Sequence, residues 1–210
     1  YFGPIPPGDE PPPVLAEEPP QRGERRVQVP FDAEPELLMG WRVPSASHQD
    51  APALNVLARL LAGGKTSRLY RRLVLEDRLT TSVSASTGPA LRGPGILTVA
   101  AQPMGDHTAA EVEAAILEEV GRIRDESPSP RELERVRNQL EGADVRRLGS
   151  NMGLAFQLVD SVIYHDDWRE TFRSGQRLAA VTAEDVRRVA AEYLVPERMT
   201  VAELVTETAP

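Results

Sequence analysis

Three histidines, His48, His107 and His165, are the side chains of this sequence best suited to hold a metal or move a proton. None has the neighbours that either task needs. A zinc-binding helix places two imidazoles at i and i+4 beside a glutamate, as H-E-x-x-H or H-x-x-E-H, so that both rings leave one helix face. His48 and His107 have no second histidine within a helical turn, and His165-Asp166-Asp167 offers one imidazole between two expected helices. That cluster reads as a solvated loop. No G-x-S-x-G elbow presents a serine nucleophile, and nothing local supports a Ser–His–Asp triad. The chain has no cysteine, which removes thiolate nucleophiles, thiolate zinc sites, iron–sulfur ligation and disulfides together.

Gly63-Gly64-Lys65-Thr66-Ser67 contains the Gly-Lys-Thr of a phosphate loop. The loop pattern G-x-x-x-x-G-K-[ST] also requires a glycine where Arg59 stands and a strand leading into it, whereas a helix is expected here. These residues suit a helix-to-helix turn instead, with glycine at positive φ and Ser or Thr capping the next helix.

The elements that carry these residues can be read from spacing. Residues 1–23 hold the densest proline, including Pro11-Pro12-Pro13 and Pro19-Pro20, and predict an extended linker. The opening Tyr1-Phe2-Gly3-Pro4 reads as a position inside a longer protein. A globular domain is expected over 24–210, with strands at 25–29 and 36–43. The second, ELLMGWRV, is almost continuously apolar, which predicts cover on both faces. Asp50 stands as the cap of a helix whose Leu54, Leu57, Ala58 and Leu61 follow i, i+3, i+4, i+7. A second helix is expected over 67–77, then strands over 80–86 and 95–101 joined by a turn from Gly88 to Gly95. Thr108-x-x-Glu111, Ser129-Pro130-Arg131-Glu132 and Thr182-x-x-Asp185 are helix starts. Further helices fit 151–163 and 167–179, and residues 199–205 form a closing strand. Hairpins and runs of helices without βαβ alternation predict an α+β, two-layer domain with a mostly antiparallel sheet packed against several helices.

Composition narrows the function classes. Of 210 residues, 27% are charged and the formal net charge is −8, which speaks against a nucleic-acid groove built from clustered cations. The arginines alternate with glutamates along helices, as on solvated faces. No apolar run approaches the roughly 18 residues of a membrane span. Lack of cysteine leaves the compartment open between bacterial cytoplasm and periplasm.

The segment Asp50 to Val74, with its Gly63-Gly64 turn and Ser67-Arg68-Leu69-Tyr70, resembles the helix–Gly-Gly–S-R-L-[YF]–helix signature of pitrilysin/insulinase-type zinc peptidases. The signature marks their second, non-catalytic domain. Thr80-Thr81-Ser82-Val83-Ser84-Ala85 is similar to the strand that follows it, and Tyr1 to Pro6 to the crossover between the two domains. The resemblance implies two homologous halves facing each other around a peptide chamber, with zinc held by H-x-x-E-H in the other half. The helix matching the zinc helix reads Leu54-Asn55-Val56-Leu57-Ala58 and has no ligand. The resemblance further implies no catalysis by this chain alone and no cofactor in it. The expected partners are a catalytic half-domain of the same or another chain, peptide substrates and, as a further option, a second copy in a homo-oligomer. Many family members place Arg in the second helix and Tyr in the next strand against substrate. Val74 and Thr81 stand there, and with Ser82 they are the candidate substrate contacts, although neither Val74 nor Thr81 can stabilise an oxyanion as Arg or Tyr would. Two other readings stay open: a structural paralogue of a processing peptidase acting only in assembly, and an unrelated α+β binding domain.

Overall fold

The computed structural model describes residues 3–6, 8, 19–88 and 93–206. In chain order they form β1 (Arg25–Phe31), β2 (Glu36–Val43), α1 (Ala51–Ala62), a π-helical segment (Tyr70–Glu76), β3 (Thr80–Gly88) and β4 (Gly95–Pro103). There follow α2 (Ala109–Asp125), α3 (Pro130–Leu148), α4 (Asn151–His165), α5 (Glu170–Ala180), α6 (Ala183–Tyr193), a 3-10 turn (Pro196–Arg198) and β5 (Met199–Thr206). Pro11-Pro12-Pro13 of the expected linker and residues 89–92 of the β3–β4 turn lie outside the described residues.

The five strands make one sheet in the order β1-β5-β2-β4-β3. Only β1 and β5 run parallel; the other pairs are antiparallel, as expected. Helices cover one face. Leu37, Met39, Trp41 and Val43 of β2 point to them and are buried with Leu97, Val99, Met199 and Val201 of the neighbouring strands. The alternate residues face outward, and Leu38 is 42% exposed. The expectation that β2 is covered on both faces is therefore corrected. Its apolar run is continuous because Leu38 and Gly40 occupy outer positions, and the Ile96 side chain lies so close to Gly40 that an added Cβ would meet it at 2.9 Å. Chain from the expected linker crosses this outer face. Arg42 Nη1 donates to the Pro19 carbonyl at 2.8 Å, and Gln21 Nε2 to the Met199 carbonyl at 2.6 Å.

Helix starts obey local chemistry at three positions. The hydroxyls of Thr108, Ser129 and Thr182 accept the N–H three residues on, and Glu111, Glu132 and Asp185 accept the N–H of the cap residue in return. Each box satisfies two donors that a helix start leaves unpaired. Asp50 departs from this pattern: it precedes α1 but its side chain makes no cap hydrogen bond. Its carboxylate accepts instead from Arg188 Nη2 at 2.6 Å and the Tyr193 hydroxyl at 2.8 Å, tying α1 to α6. The expected Ser cap after Gly63-Gly64 is also corrected, since Ser67 Oγ donates back to the Gly64 carbonyl at 2.6 Å. Gly64 sits at φ +116°, which only glycine adopts without strain. The helix expected from residue 167 begins at Glu170 because Asp167 Oδ1 accepts the Arg169 N–H in a turn.

Arg68 crosses from the turn before the π-helical segment to two helices. Its Nε and Nη2 grip Glu132 at 2.9 and 3.2 Å, and Nη1 lies 3.5 Å from Glu119. The Arg68 hydrogen bond, opposed by burial and assisted by the Ser129 N–H and hydroxyl, holds the Glu132 carboxyl down from 4.5 to about 2. A carboxyl with a depressed folded pKa contributes stability above its unfolded value and loses it as pH falls toward the folded one. Stability should accordingly decline between pH 4.5 and about 2, with a contribution from Glu132 of about 1–2 kcal/mol after solvent screening. Urea titrations across this range should show a shallower acid limb for Glu132→Gln than for the native chain; parallel limbs would remove Glu132 from the account.

Candidate functional site

Among the described residues two strands of the sheet, β1 and β3, have an unpaired edge, and their sequences treat it differently. β1 (RRVQVPF) carries Arg25, Arg26 and Pro30, the charges and proline that keep an edge from pairing with other chains. β3 (TTSVSASTG) has no charge and no proline across nine residues. Ser82, Ser84 and Ser86 are exposed on it, while Val83, Ala85 and Thr87 turn inward and are half-buried. Small side chains on an unprotected edge let another backbone approach closely.

The structure places the three sequence candidates here in different ways. Ser82 is exposed on β3. Thr81 is exposed too, but the register slips between Thr80 and Ser82, so Thr81 is the extra residue of a β-bulge at the strand's start. Its hydroxyl donates to Gln102 Oε1 of β4 at 3.0 Å. Val74 is half-buried in the π-helical segment, an element apart from the strand.

Beside β3, α1 and helices α3–α5 bound a cleft of about 550 Å³. α1 reaches it with Ala51 and Pro52 of its first turn and with Asn55, Ala58 and Arg59. Leu54 and Leu57, from the stretch matched to a zinc helix, are instead 2% and 0% exposed in the core. Asn55 and Arg59 are the only exposed residues of α1. Thr87 of β3 donates its hydroxyl to Asn55 Oδ1 at 2.5 Å, joining helix and strand at the cleft wall. An amide, a methyl and a guanidinium do not fit zinc, which requires imidazole, carboxylate or thiolate donors. Among the described residues no group of three or more His, Asp or Glu could hold a metal ion. Sequence reasoning missed this face because the apolar stripe drew attention to the opposite one. The signal was present, however: Asn55 and Arg59 are the two polar residues of APALNVLARLLA.

A second surface is apolar. On α4, the turn after it and the start of α5, Met152, Phe156, Val159, Trp168 and Phe172 are 48–67% exposed. Part of this face is a hollow of about 490 Å³ bounded by Leu154, Leu158 and Ile163. Single exposed apolar residues are ordinary; a contiguous run of them marks an interaction surface. No described helix is long and apolar enough to cross a membrane.

Comparison with known proteins gives a consistent result. The model of a family described as the peptidase M16 inactive domain matches residues 1–140. The zinc protease PqqE of Helicobacter pylori is 27% identical over 178 residues, 84% of this chain and 40% of that protein. A protease structure from Helicobacter pylori aligns with a TM-score of 0.85 at 24% identity, over 93% of this chain and 47% of the other. The peptidase M16 inactive domain from Pseudomonas fluorescens aligns at 0.78 and 18% identity, over 94% and 48%. A structure described as an inactive peptidase domain from Bordetella parapertussis aligns at 0.77 and 23%, over 87% and 96%. These structural likenesses speak for the fold alone. The chain thus spans less than half the length of the two Helicobacter proteins and nearly all of the Bordetella domain.

Proposed function

The chain belongs to the peptidase M16 inactive-domain family, and on that premise we propose that it is the non-catalytic half of a zinc metallopeptidase. It closes a peptide chamber against a separate half that carries the H-x-x-E-H zinc site. The observation that carries this reading is the unprotected edge of β3 beside the cleft. An extended peptide adds to such an edge through backbone hydrogen bonds, which tolerate many sequences. The exposed serines, with Thr81 at the bulge, flank the path of that peptide, and Val74 contributes apolar wall. The apolar face of α4 and α5 supplies area for the partner half. Zinc and the activated water belong to that half, and this chain contributes position rather than proton transfer.

The test has two arms. Mixing the chain with a zinc-binding half of the same family should give a 1:1 complex that turns over peptides neither half cleaves alone. An extended peptide should bind the complex about tenfold more tightly than its analogue N-methylated at alternate residues, because one row of backbone donors is lost. Equal binding of the two peptides removes β3 augmentation. The alternative of an assembly domain draws on the apolar α4–α5 face, and a tight complex with no turnover would favour it.

A further inference from the structure

α1 lies in the middle of the domain, with seven of its twelve residues buried. A helix so placed reaches solvent at Asn55 and Arg59, one turn apart on a single face, and both line the cleft beside β3. Arginine at this position carries a full charge that the protein leaves uncompensated. Arg59 makes no ion pair or side-chain hydrogen bond among the described residues, whereas the other cleft arginines are engaged: Arg147 with Asp144 and Arg177 with Glu170. With Oδ1 of Asn55 taken by Thr87, its amide nitrogen remains a donor without an acceptor among the described residues. Burial, with a smaller push from Arg177, lowers the His165 pKa below its usual 6.5, so at neutral pH His165 adds no charge; Asp144 and Glu170 offset Arg147 and Arg177, and Arg59 is the cation left over. This cationic spot belongs to a chain whose formal net charge is −8.

We propose that the cleft is a carboxylate-binding subsite, in which Arg59 and the Asn55 amide take an acidic side chain or the C-terminal carboxylate of a peptide lying along β3. The inference rests on the reading of β3 as the peptide edge. It adds a chemical preference to a strand that by itself recognises only backbone. A guanidinium beside an amide donor presents parallel N–H groups to both oxygens of a carboxylate, while a neutral amide ligand forfeits the charge-assisted part.

Fluorescence anisotropy on the whole chain tests it with extended peptides sharing one neutral core. Two contrasts are measured: Glu against Gln within the peptide, and free acid against amide at its C-terminus. At least one should favour the carboxylate by about tenfold at low salt and less at high salt. The contrast that responds identifies the source of the carboxylate. Arg59→Gln should reduce it below about twofold and Arg59→Glu should shift preference to a Lys-bearing peptide, whereas Arg187→Gln, at an exposed pair elsewhere, should leave it unchanged. Unaltered melting of Arg59→Gln serves as the folding control. Should the native chain bind acid and amide peptides equally, or the contrast persist in Arg59→Gln, the subsite is wrong and β3 recognition stands. Failure of every peptide, neutral core included, overturns both.

Discussion

Replacing Arg68 by alanine should destabilise the folded chain by about 2–4 kcal/mol, a loss on the order of 10 °C in Tm for a domain of this size. The Arg68 side chain is 18% exposed, and the carboxylates it serves, Glu132 and Glu119, are 23% and 7% exposed. Without the guanidinium, Glu119 keeps Arg122 at 3.1 Å, but Glu132 keeps only its own cap contacts at Ser129. Two partly buried charges then face each other across the gap, and leaving a buried charge unpaired costs more than the intact pair contributes. Arg68→Met keeps the apolar stem and should recover part of the packing but none of the charge pairing. The contrast is Arg71→Ala, whose partner Glu76 is 56% exposed and whose loss should cost under about 0.5 kcal/mol. Chemical denaturation at pH 7 reads all three; similar midpoints for Arg68→Ala and Arg71→Ala would show that the buried network is not what joins these helices. Because Arg68 belongs to the Ser67-Arg68-Leu69 signature, the result would also give that signature a structural role.

Asp50 provides the second large effect. Its side chain is 4% exposed, and burial opposes its charge, yet the Arg188 hydrogen bond, with the Tyr193 hydroxyl beside it, keeps its carboxyl below the usual carboxylate range. Burial and the same contact raise the Tyr193 pKa, so the phenol stays a donor at every ordinary pH. Asp50→Ser should therefore cost about 2–3 kcal/mol, chiefly because the shorter hydroxyl strands the buried Tyr193 phenol, while Arg188, 44% exposed, keeps Glu192 at 3.6 Å. If Asp50 were an ordinary helix cap, serine would replace it at almost no cost. A double-mutant cycle with Tyr193→Phe should give a coupling above about 1 kcal/mol, and strict additivity would separate the two residues. The sign with pH is set by the lowered carboxyl: this contribution is full above pH 3.8 and fades as pH falls below it.

The three capping boxes and these two networks divide the molecule by range. Thr108, Ser129 and Thr182 close on residues three positions away, so their geometry depends on local chain alone and is visible in the residue types. The α1 stripe, the strands and the α+β layering were legible for the same reason, because spacing on a helix or strand converts directly into a face. The Ser-Arg-Leu signature identified the non-catalytic half of the peptidase family for a different reason: it preserves a run of residue types that periodicity alone would not single out.

Other features had no local record. Asp50 reads as a cap from its neighbours, but its partners Arg188 and Tyr193 lie 138 and 143 positions away. Sheet order decided that β3 is an edge among the described residues, and packing that helices cover only one face of β2; a strand's own sequence does not say how many neighbours it has. Thr81 resembled an ordinary strand residue until the register with Gln102 and Pro103 made it the bulge. Asn55 and Arg59 looked like solvated positions on an amphipathic helix. Packing of β3 and α3–α5 around α1 turned that small exposed face into the wall of a cleft, because in a close-packed interior only tertiary contacts determine which polar groups keep access to solvent and ligand.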